Sequence, residues 1–228
     1  MAVFVSVFLV ITTTLLVVRI VYVISQSSKP KHNTSQKQLS TLVVLGSEMI
    51  NLLSVMQKDW YAPRYYIAAA TDNMSLQKAR VFEDILDDKG ADGTQFMQIY
   101  RSREVGQSYI TSVGTTLLAL GHALWLMVKI RPHVILCNGP GTCIPICAIA
   151  FIFKVLGIRW SYIFYVESIA RVKRLSLSGL LLYKLHMADQ LFVQWPQLQK
   201  QYPRARYVGR LINMIMDASI GTSMNYRC

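Results

Sequence analysis

Cysteine is scarce in this sequence, and the spacings that would give it a structural role are missing. The 228 residues contain four cysteines, Cys137, Cys143, Cys147 and Cys228, and none of them forms a C-x-x-C pair. The first three lie in apolar surroundings, so we expect small buried thiols rather than a disulfide scaffold or a zinc site. This use of cysteine is typical of a reducing compartment.

Two further patterns of catalytic or metal-binding proteins are also missing. No G-x-S-x-G segment occurs, which argues against the nucleophile elbow of the hydrolases. His122, His133 and His186 have no metal-like spacing, so each is expected to be structural. The sequence therefore predicts neither a metal nor a cofactor.

The chain opens with a long apolar run. Ala2–Ile24 contains 23 residues, apolar apart from Ser6, three threonines and Arg19, and about 20 suffice to cross a bilayer. No basic residue precedes the run and no convincing A-x-A site follows it, which favours a membrane anchor over the alternative, a cleaved signal peptide. Basic residues follow the run, which predicts that the rest of the chain faces the cytosol. Residues 25–40 read as a polar linker.

Acidic residues are absent from residues 1–40, and basic residues dominate the C-terminal third. The whole chain has 24 basic and 12 acidic residues, which gives a net charge of +12. Residues 159–210 have nine basic and two acidic residues. Next to an anchor, this charge favours an anionic partner such as lipid headgroups, a pyrophosphate or a nucleotide. A solubilising surface is the alternative. No aromatic-basic repeat or recognition helix is visible, so nucleic acid is not an expected partner.

Residues 41–212 alternate apolar strands with helices. Strands are predicted at 41–46, 65–71, 96–100, 133–137, 161–166, 190–194 and 207–208; helices are predicted at 48–58, 76–89, 106–130, 142–156 and 176–188, with a short one opened by Trp195-Pro196. This alternation predicts a Rossmann-like α/β fold, an open and mostly parallel sheet with helices on both faces. Ligands of such sheets bind at the carboxyl ends of the strands.

The helix at 106–130 contains a stretch, Val113–Ile130, that is apolar enough to suggest a second membrane span. Gly121, His122 and Lys129 interrupt it, which favours a core helix or one half-sunk in the membrane surface.

Three loops at the carboxyl ends of predicted strands could carry chemistry. Cys137-Asn138-Gly139-Pro140-Gly141-Thr142 joins a strand to a helix, where glycines and free N–H groups suit a phosphate. The alternative is a tight turn in which Thr142 caps the helix. Gly46-Ser47-Glu48 follows the first strand but leaves almost no loop before the next helix.

The third loop contains Glu167, directly after a long apolar strand. This carboxylate could act as a general base or bind sugar hydroxyls, or it could pair with Arg171 or cap the following helix. Arg171, Lys173 and Arg174 could hold a pyrophosphate, although such clusters are more often solvated.

Taken in order, the segments LVVLGS, CNGPGT, YVESIARVKRLSLSGLLLY, DQLFVQWPQL and YPRARYVGRL resemble one family. It is the membrane-anchor subunit of the two-subunit UDP-N-acetylglucosamine transferase of dolichol-linked oligosaccharide assembly. The resemblance covers roughly residues 1–212. It implies the N-terminal half of a GT-B glycosyltransferase, with an anchor at 1–24, a linker at 25–40, a domain at 41–212 and an atypical tail at 213–228.

The resemblance also implies an activity and partners. A soluble catalytic subunit would be recruited to the cytosolic face of the endoplasmic reticulum membrane, which continues into the nuclear envelope. The pair would transfer GlcNAc from UDP-GlcNAc in β1,4 linkage to GlcNAc-diphosphodolichol, and this chain would be inactive alone. The GlcNAc-1-phosphate transferase of the preceding step and the mannosyltransferase of the following step are further expected partners.

The expected site residues follow the matching segments. Asn138, Gly139, Gly141 and Thr142 are expected to bind the lipid diphosphate or the nucleotide phosphates. Glu167 is expected to contact the acceptor hydroxyl or to act as the base. Ser168 and Arg171 are assigned to substrate and anionic charge, and Gly46 and Ser47 to what is left of the first phosphate loop.

Two departures from the family pattern stand out. The family's first loop reads like G-S-G-G-H-T before an acidic residue, whereas this chain passes from Ser47 directly to Glu48. That loop would carry a candidate base and part of the diphosphate cradle, which predicts a catalytically impaired form that only recruits the soluble subunit. Residues 213–228 also extend beyond the family's usual end, where the partner is expected to bind.

Overall fold

The computed structural model describes residues 1–27, 41–44, 46, 48–55, 63–70, 72–86, 94–100, 109–138 and 141–209. Ser47, Gly139, the linker from residue 28 onward and the tail at 213–228 lie outside these ranges. The helices are α1 Ala2–Ser27, α2 Met49–Val55, α3 Asn73–Leu86, α4 Tyr109–Ile130, α5 Cys143–Leu156, α6 Leu177–Lys184 and α7 Pro196–Gln201. The strands are β1 Thr41–Val44, β2 Arg64–Ala69, β3 Gln95–Ile99, β4 Val134–Asn138, β5 Tyr162–Val166, β6 Gln190–Val193 and β7 Arg206–Tyr207.

These strands form one sheet with the order β3-β2-β1-β4-β5-β6-β7, and every neighbouring pair is parallel. The chain first winds outward from β1 to β3 and then crosses to β4, so the direction of winding reverses between β1 and β4. Parallel strands need helical crossovers, which is why apolar residues occupy both faces of the central strands. The predicted fold class, an open parallel α/β sheet behind an apolar helix, is confirmed.

Two apolar cores cover the two faces of the sheet. On one face, α2 and α3 bury Met49, Leu53, Leu76 and Ala79 against the sheet. On the other face, α4, α5, α6 and α7 contribute the larger core, in which Cys143, Cys147 and Phe153 of α5 are buried. Helix α5 therefore lies at the centre of this larger core, together with residues of α4 and α6.

The last turns of α1 pack against the α/β domain. The Arg19 guanidinium donates from Nε to the carbonyl oxygen of Val155 at 3.1 Å. Val23 is fully buried, and Ser27 donates a hydrogen bond to Asp189. Asp189 also pairs with Lys154, a lysine with no side-chain exposure. The first helix is thus attached to the domain through side chains, not only through the linker.

The predicted elements are found with small shifts at their ends, except for the helix predicted at 176–188. Helix α6 ends at Lys184, because His186 adopts a left-handed backbone conformation with φ of 54° that an α-helix cannot continue. The following N–H of Met187 returns to the carbonyl of Leu182 and closes the helix end.

Candidate functional site

The connections that follow β1, β4, β5 and β6 meet at the carboxyl edge of the sheet, beside the point where winding reverses. In the sheet register, Asn138 at the end of β4 lies beside Val166, which precedes Glu167. Gly46 follows β1 on one side, and Gln194 follows β6 on the other. The carboxyl edge of the sheet, where the sequence predicts that ligands bind, therefore brings together the three loops that were predicted to carry chemistry.

Two buried polar atoms of the β4–α5 connection have no hydrogen-bond partner. Asn138 and Thr142 are each 1% exposed, and within the described part of the chain Asn138 Nδ2 and Thr142 Oγ1 are unpaired. Thr142 is the N-cap residue of α5, but its hydroxyl makes no capping bond, so the capping alternative does not explain it. An unsatisfied buried group costs about 1–3 kcal/mol, which makes this pair a candidate ligand contact.

Glu167 is fully buried and its carboxylate is held by several donors. It accepts hydrogen bonds from Ser168 N at 3.2 Å, from Ser176 N at 2.9 Å and from Ser176 Oγ at 3.0 Å. The Ser176 hydroxyl, the N-cap of α6, lies 3.0 Å from the Tyr165 hydroxyl and accepts from Gly179 N. These bonds hold the loop between β5 and α6 against the end of the strand.

Burial raises the pKa of Glu167, and the hydrogen bonds from Ser176 counteract this only in part. A raised pKa suits proton transfer, but a general base also needs a free oxygen facing the substrate. The arrangement supports the alternative interpretation of Glu167, in which it fixes the start of the following helix. No ion pair between Glu167 and Arg171 forms in the ranges that the structure describes. The role of base stays a prediction.

Glu48 is the residue that sequence reasoning missed. Its Oε1 accepts from Ser168 Oγ at 2.6 Å and from Ile169 N at 3.0 Å, and its Oε2 accepts from Gln194 Nε2 at 2.8 Å. Gln194 Nε2 also donates to the carbonyl of Glu167 at 3.0 Å. Glu48 therefore joins the connections after β1, β5 and β6. A signal was present in the sequence, because an acidic residue that follows a buried strand so closely is placed at the carboxyl edge, beside the loops of the neighbouring strands.

The loop that Glu48 and Glu167 hold presents the basic cluster to solvent. Arg171, Lys173 and Arg174 are exposed, and no acidic side chain of the described ranges forms an ion pair with them. The Ser168 hydroxyl donates to Glu48 Oε1 and accepts from Ala170 N, and substrate binding by Ser168 stays a prediction. The guanidinium and ammonium groups are thus accessible to solvent, and the binding of an anion by Arg171 stays a prediction.

Three buried thiols lie behind the β4–α5 connection. Cys137, Cys143 and Cys147 are free and fully buried, as predicted, and the Sγ atoms of Cys137 and Cys147 are 3.6 Å apart. Hydrogen bonding to Cys143 and Cys147, together with burial, raises the pKa of Cys137, and burial raises the pKa of Cys143. Among the described residues, no group of three or more His, Cys, Asp or Glu side chains could hold a metal ion.

In the part of the chain that the structure describes, two helices are long and apolar enough to cross a membrane, Val3–Ser27 and Val113–Ile130. The first is exposed along nearly its whole length before Arg19. The second is α4 without its first turn. One of its faces is exposed and apolar, and consists of Val113, Leu117, Leu118, Leu124, Trp125 and Val128. We call these six residues the α4 face.

Comparison with known proteins gives a consistent family. Residues 41–211 match the family described as "Oligosaccharide biosynthesis protein Alg14 like". Among similar proteins, the UDP-N-acetylglucosamine transferase subunit ALG14 of Homo sapiens is 42% identical over 194 residues, which cover 78% of this chain and 86% of that protein. The proteins of the same name from Mus musculus and Yarrowia lipolytica are 39% and 40% identical, covering 80% and 87% of this chain and 88% and 94% of theirs.

Solved structures resemble the chain more distantly. UDP-N-acetylglucosamine 2-epimerase chains from Listeria monocytogenes and Rickettsia bellii superpose with TM-scores of 0.49 and 0.47 at 14% identity. The alignments cover 73% and 82% of this chain but only 42% and 48% of the epimerase chains, so this chain spans less than half of each.

The family match includes the whole sheet and every connection at its carboxyl edge, and the similar proteins agree with it in name and in extent. This chain belongs to the Alg14-like family of oligosaccharide biosynthesis proteins.

Proposed function

We propose that the chain is the membrane-anchoring and acceptor-binding subunit of a UDP-N-acetylglucosamine transferase. It recruits a soluble catalytic subunit to the cytosolic face of the endoplasmic reticulum. The joined pair transfers the second GlcNAc to GlcNAc-diphosphodolichol, and neither metal nor cofactor on this chain is required. Contacts with the enzymes of the preceding and following steps belong to the same proposal.

The observation that carries the proposal is the unpaired polar pair at the β4–α5 connection, in a chain of this family. The relatives' name gives the transfer of an N-acetylglucosamine group, and both the donor and a lipid-diphosphate acceptor carry phosphate oxygens. Within the described ranges, Asn138 Nδ2 at the end of β4 and Thr142 Oγ1 at the start of α5 are donors without partners, and the dipole of α5 also favours negative charge there. The exposed Arg171 adds positive charge nearby.

In the proposed reaction, the acceptor 4-hydroxyl oxygen attacks the anomeric carbon of UDP-GlcNAc. The bond from that carbon to UDP breaks, the hydroxyl proton passes to a base, and UDP leaves. On this chain, Asn138, Gly141 and Thr142 bind the acceptor diphosphate, and Arg171 stabilises anionic charge. Glu167 and Glu48 position the loop that carries Arg171, through their bonds to Ser168 and Ser176.

The anchor part of the proposal is supported by how α1 is built. Its residues before Arg19 are apolar and exposed, which is unfavourable in water and expected in lipid. Its last turns contribute Val23 to a buried contact and Ser27 to Asp189. A segment that packs into the domain is better explained as a retained anchor than as a cleaved signal peptide.

The α4 face supports a second membrane contact. Its residues recur at helical spacing and leave one side of α4 apolar and exposed, with Trp125 next to Lys129, whose Nζ lies 4.8 Å from the Trp125 ring centroid. Aromatic and basic side chains of this kind are enriched at membrane interfaces. Because the opposite side of α4 packs on the sheet, we place α4 on the membrane surface rather than across it, where it can guide the dolichol chain.

A second candidate function is a scaffold that recruits the soluble subunit without catalytic competence. The observation that favours it is the β1–α2 connection, which consists of residues 45–48 only. Glu48 there bonds Ser168, Ile169 and Gln194, so its carboxylate is engaged by other loops. Little backbone is left at this position to surround a diphosphate.

Variants of the β4–α5 connection separate the two functions. We would co-express the chain with the soluble subunit, isolate membranes, and measure both recruitment of the partner and GlcNAc transfer to a GlcNAc-diphospho-lipid. The variants are Thr142→Val and Gly141→Val, with Thr94→Val, which directly precedes β3 at the amino edge of the sheet, as a matched control. They are made in this chain and in a version that carries the Gly-Gly-His-Thr insertion after Ser47.

If the chain is an acceptor-binding subunit, both variants still recruit the soluble subunit, but their GlcNAc transfer falls at least tenfold. The control keeps both properties. The comparison is made in whichever of the two versions of the chain transfers GlcNAc. A scaffold keeps recruitment and shows the same transfer in all variants. Unchanged transfer in Thr142→Val and Gly141→Val would contradict acceptor binding at this connection.

A further inference from the structure

A cavity of about 320 Å³ lies where the first helix joins the domain. It is bounded by Ile24 and Ser27 of α1, by Tyr183 and His186 at the end of α6, and by Arg204 and Arg206 before and in β7. These residues lie at the amino edge of the sheet, since α6 ends there and β6 and β7 begin there. The cavity is therefore on the opposite edge from Asn138 and Thr142.

The cavity is positively charged. Its one lining carboxylate, Asp189, is already neutralised, because Lys154 Nζ lies 2.5 Å from Asp189 Oδ2 and the Ile163 N–H donates to the same oxygen at 2.6 Å. Arg204 and Arg206 are exposed and form no ion pair with any described residue. An anion that enters the cavity would therefore meet two uncompensated guanidinium groups.

One of these arginines is already oriented. Arg204 donates from Nη2 to the carbonyl oxygen of Tyr183 at 2.5 Å, and its guanidinium carbon lies 4.1 Å from the Tyr183 ring centroid. That bond uses one of the five N–H donors of the guanidinium, and the stacking fixes its plane. The Tyr183 ring is itself held edge-on against Tyr202, with centroids 5.2 Å apart. The guanidinium is thus prepared to bind phosphate oxygens with little loss of side-chain entropy.

The position along α1 places the cavity at headgroup depth. Eighteen helical residues, Val3 to Ile20, span about 27 Å, close to the roughly 27–30 Å of a hydrocarbon core. Ile24 then lies about 6 Å beyond the hydrocarbon boundary and Ser27 about 10 Å beyond it. The polar headgroup layer on each side is roughly 5–8 Å thick, so the Ile24 side of the cavity lies within the layer of lipid phosphates and the Ser27 side lies just outside it.

We propose that this cavity, the anchor-base pocket, binds the phosphate headgroup of an anionic membrane phospholipid through Arg204 and Arg206. Basic pockets beside membrane helices on the cytoplasmic side bind such headgroups. The proposal rests on the anchoring role of α1 given above. A lipid bound there would link α1, α6 and β7, and so fix the tilt of the domain on the membrane.

The test uses the full chain in nanodiscs of phosphatidylcholine, with and without phosphatidic acid. Lipid that remains bound after transfer to detergent is counted by native mass spectrometry for the unaltered chain, Arg204→Gln and Arg206→Gln. Arg80→Gln, an exposed arginine of α3 on the other face of the sheet, is the matched control. A parallel arm adds inorganic phosphate to the chain in phosphatidylcholine nanodiscs and measures its thermal unfolding.

We expect phosphatidic acid to be retained over phosphatidylcholine, and each pocket variant to retain it about fivefold less. This factor corresponds to the roughly 1 kcal/mol that one basic residue contributes near a membrane surface. Arg80→Gln should retain it like the unaltered chain. Equal retention of both lipids, or equal losses in Arg80→Gln and Arg206→Gln, would overturn the proposal.

Stabilisation by free phosphate without retention of phosphatidic acid would also overturn the lipid assignment. Failure of the anchor is distinguishable, since a chain that α1 does not anchor would be absent from neutral nanodiscs before any anionic lipid is added.

Discussion

Gly179, in the first turn of α6, provides a stringent test of the Glu167 network. A Cβ atom at this position would collide with Glu167 Oε2 and would lie 3.2 Å from Tyr165 Cε1 and 3.3 Å from Ser176 Oγ. Because Glu167 Oε2 accepts from Ser176 N and Ser176 Oγ, the carboxylate can make room only by moving away from these donors. We therefore predict that Gly179→Ala destabilises the protein, although alanine is the better helix former.

The magnitude follows from the bonds that are lost. The two bonds from Ser176 to Glu167, at 2.9 and 3.0 Å, are charge-assisted and contribute about 1.5–3 kcal/mol each. The gain in helix propensity from glycine to alanine offsets about 1 kcal/mol. The free energy of unfolding should fall by about 2–5 kcal/mol, measured by urea denaturation of the full chain in detergent.

A glycine with open surroundings is the control. No atom lies within 4 Å of a Cβ built at Gly121 of α4, so Gly121→Ala should be neutral or stabilising by up to about 1 kcal/mol. If Gly179→Ala unfolds at the same urea concentration as Gly121→Ala, the carboxylate is not held as described and the reasoning about Glu167 fails.

Three further predictions concern buried polar groups. Because the folded pKa of Glu167 is raised, its contribution to stability is largest below its unfolded value near 4.5 and is lost as the pH rises through the folded pKa. Glu167→Gln should therefore flatten the decrease in the free energy of unfolding above about pH 4.5. The same dependence of the free energy of unfolding on pH in both proteins would contradict the burial of the charge. Thr142→Val should raise the free energy of unfolding by about 1 kcal/mol while lowering transfer, because it removes an unsatisfied hydroxyl, and a loss of stability would show that the hydroxyl has a protein partner. Lys154→Met should lower the free energy of unfolding by about 3–5 kcal/mol in the same urea titration, because Asp189 would stay buried without its cation. A decrease of less than about 1 kcal/mol would mean that water reaches Asp189.

The order of elements could be predicted because the sequence pattern is set by burial on both faces of a parallel sheet. Segments such as 133–137 and 161–166 are apolar runs bounded by turn residues, and β4 and β5 occupy nearly those positions. The end of α6 could not be predicted, because the left-handed backbone at His186 depends on tertiary contacts that a periodicity does not encode.

The candidate site was predicted in part. The loop containing Asn138 and Thr142 was selected from its glycines and its place after a strand, and the ligand it binds stays a prediction. The partners of Glu167 were not predictable, since the Ser176 donors lie nine residues further along and depend on how the loop folds back. Glu48 was missed because its contacts are 120 to 146 residues away in the chain.

The measurement that tests the central claim most directly is GlcNAc transfer from UDP-GlcNAc to a GlcNAc-diphospho-lipid by membranes that contain this chain and the soluble subunit. The assay is run on the chain as it is and with the Gly-Gly-His-Thr segment inserted after Ser47. The account predicts that both forms recruit the partner and that the inserted form transfers GlcNAc, with the short form impaired. Absence of both recruitment and transfer in both forms, with the chain folded in the membrane, would contradict the account.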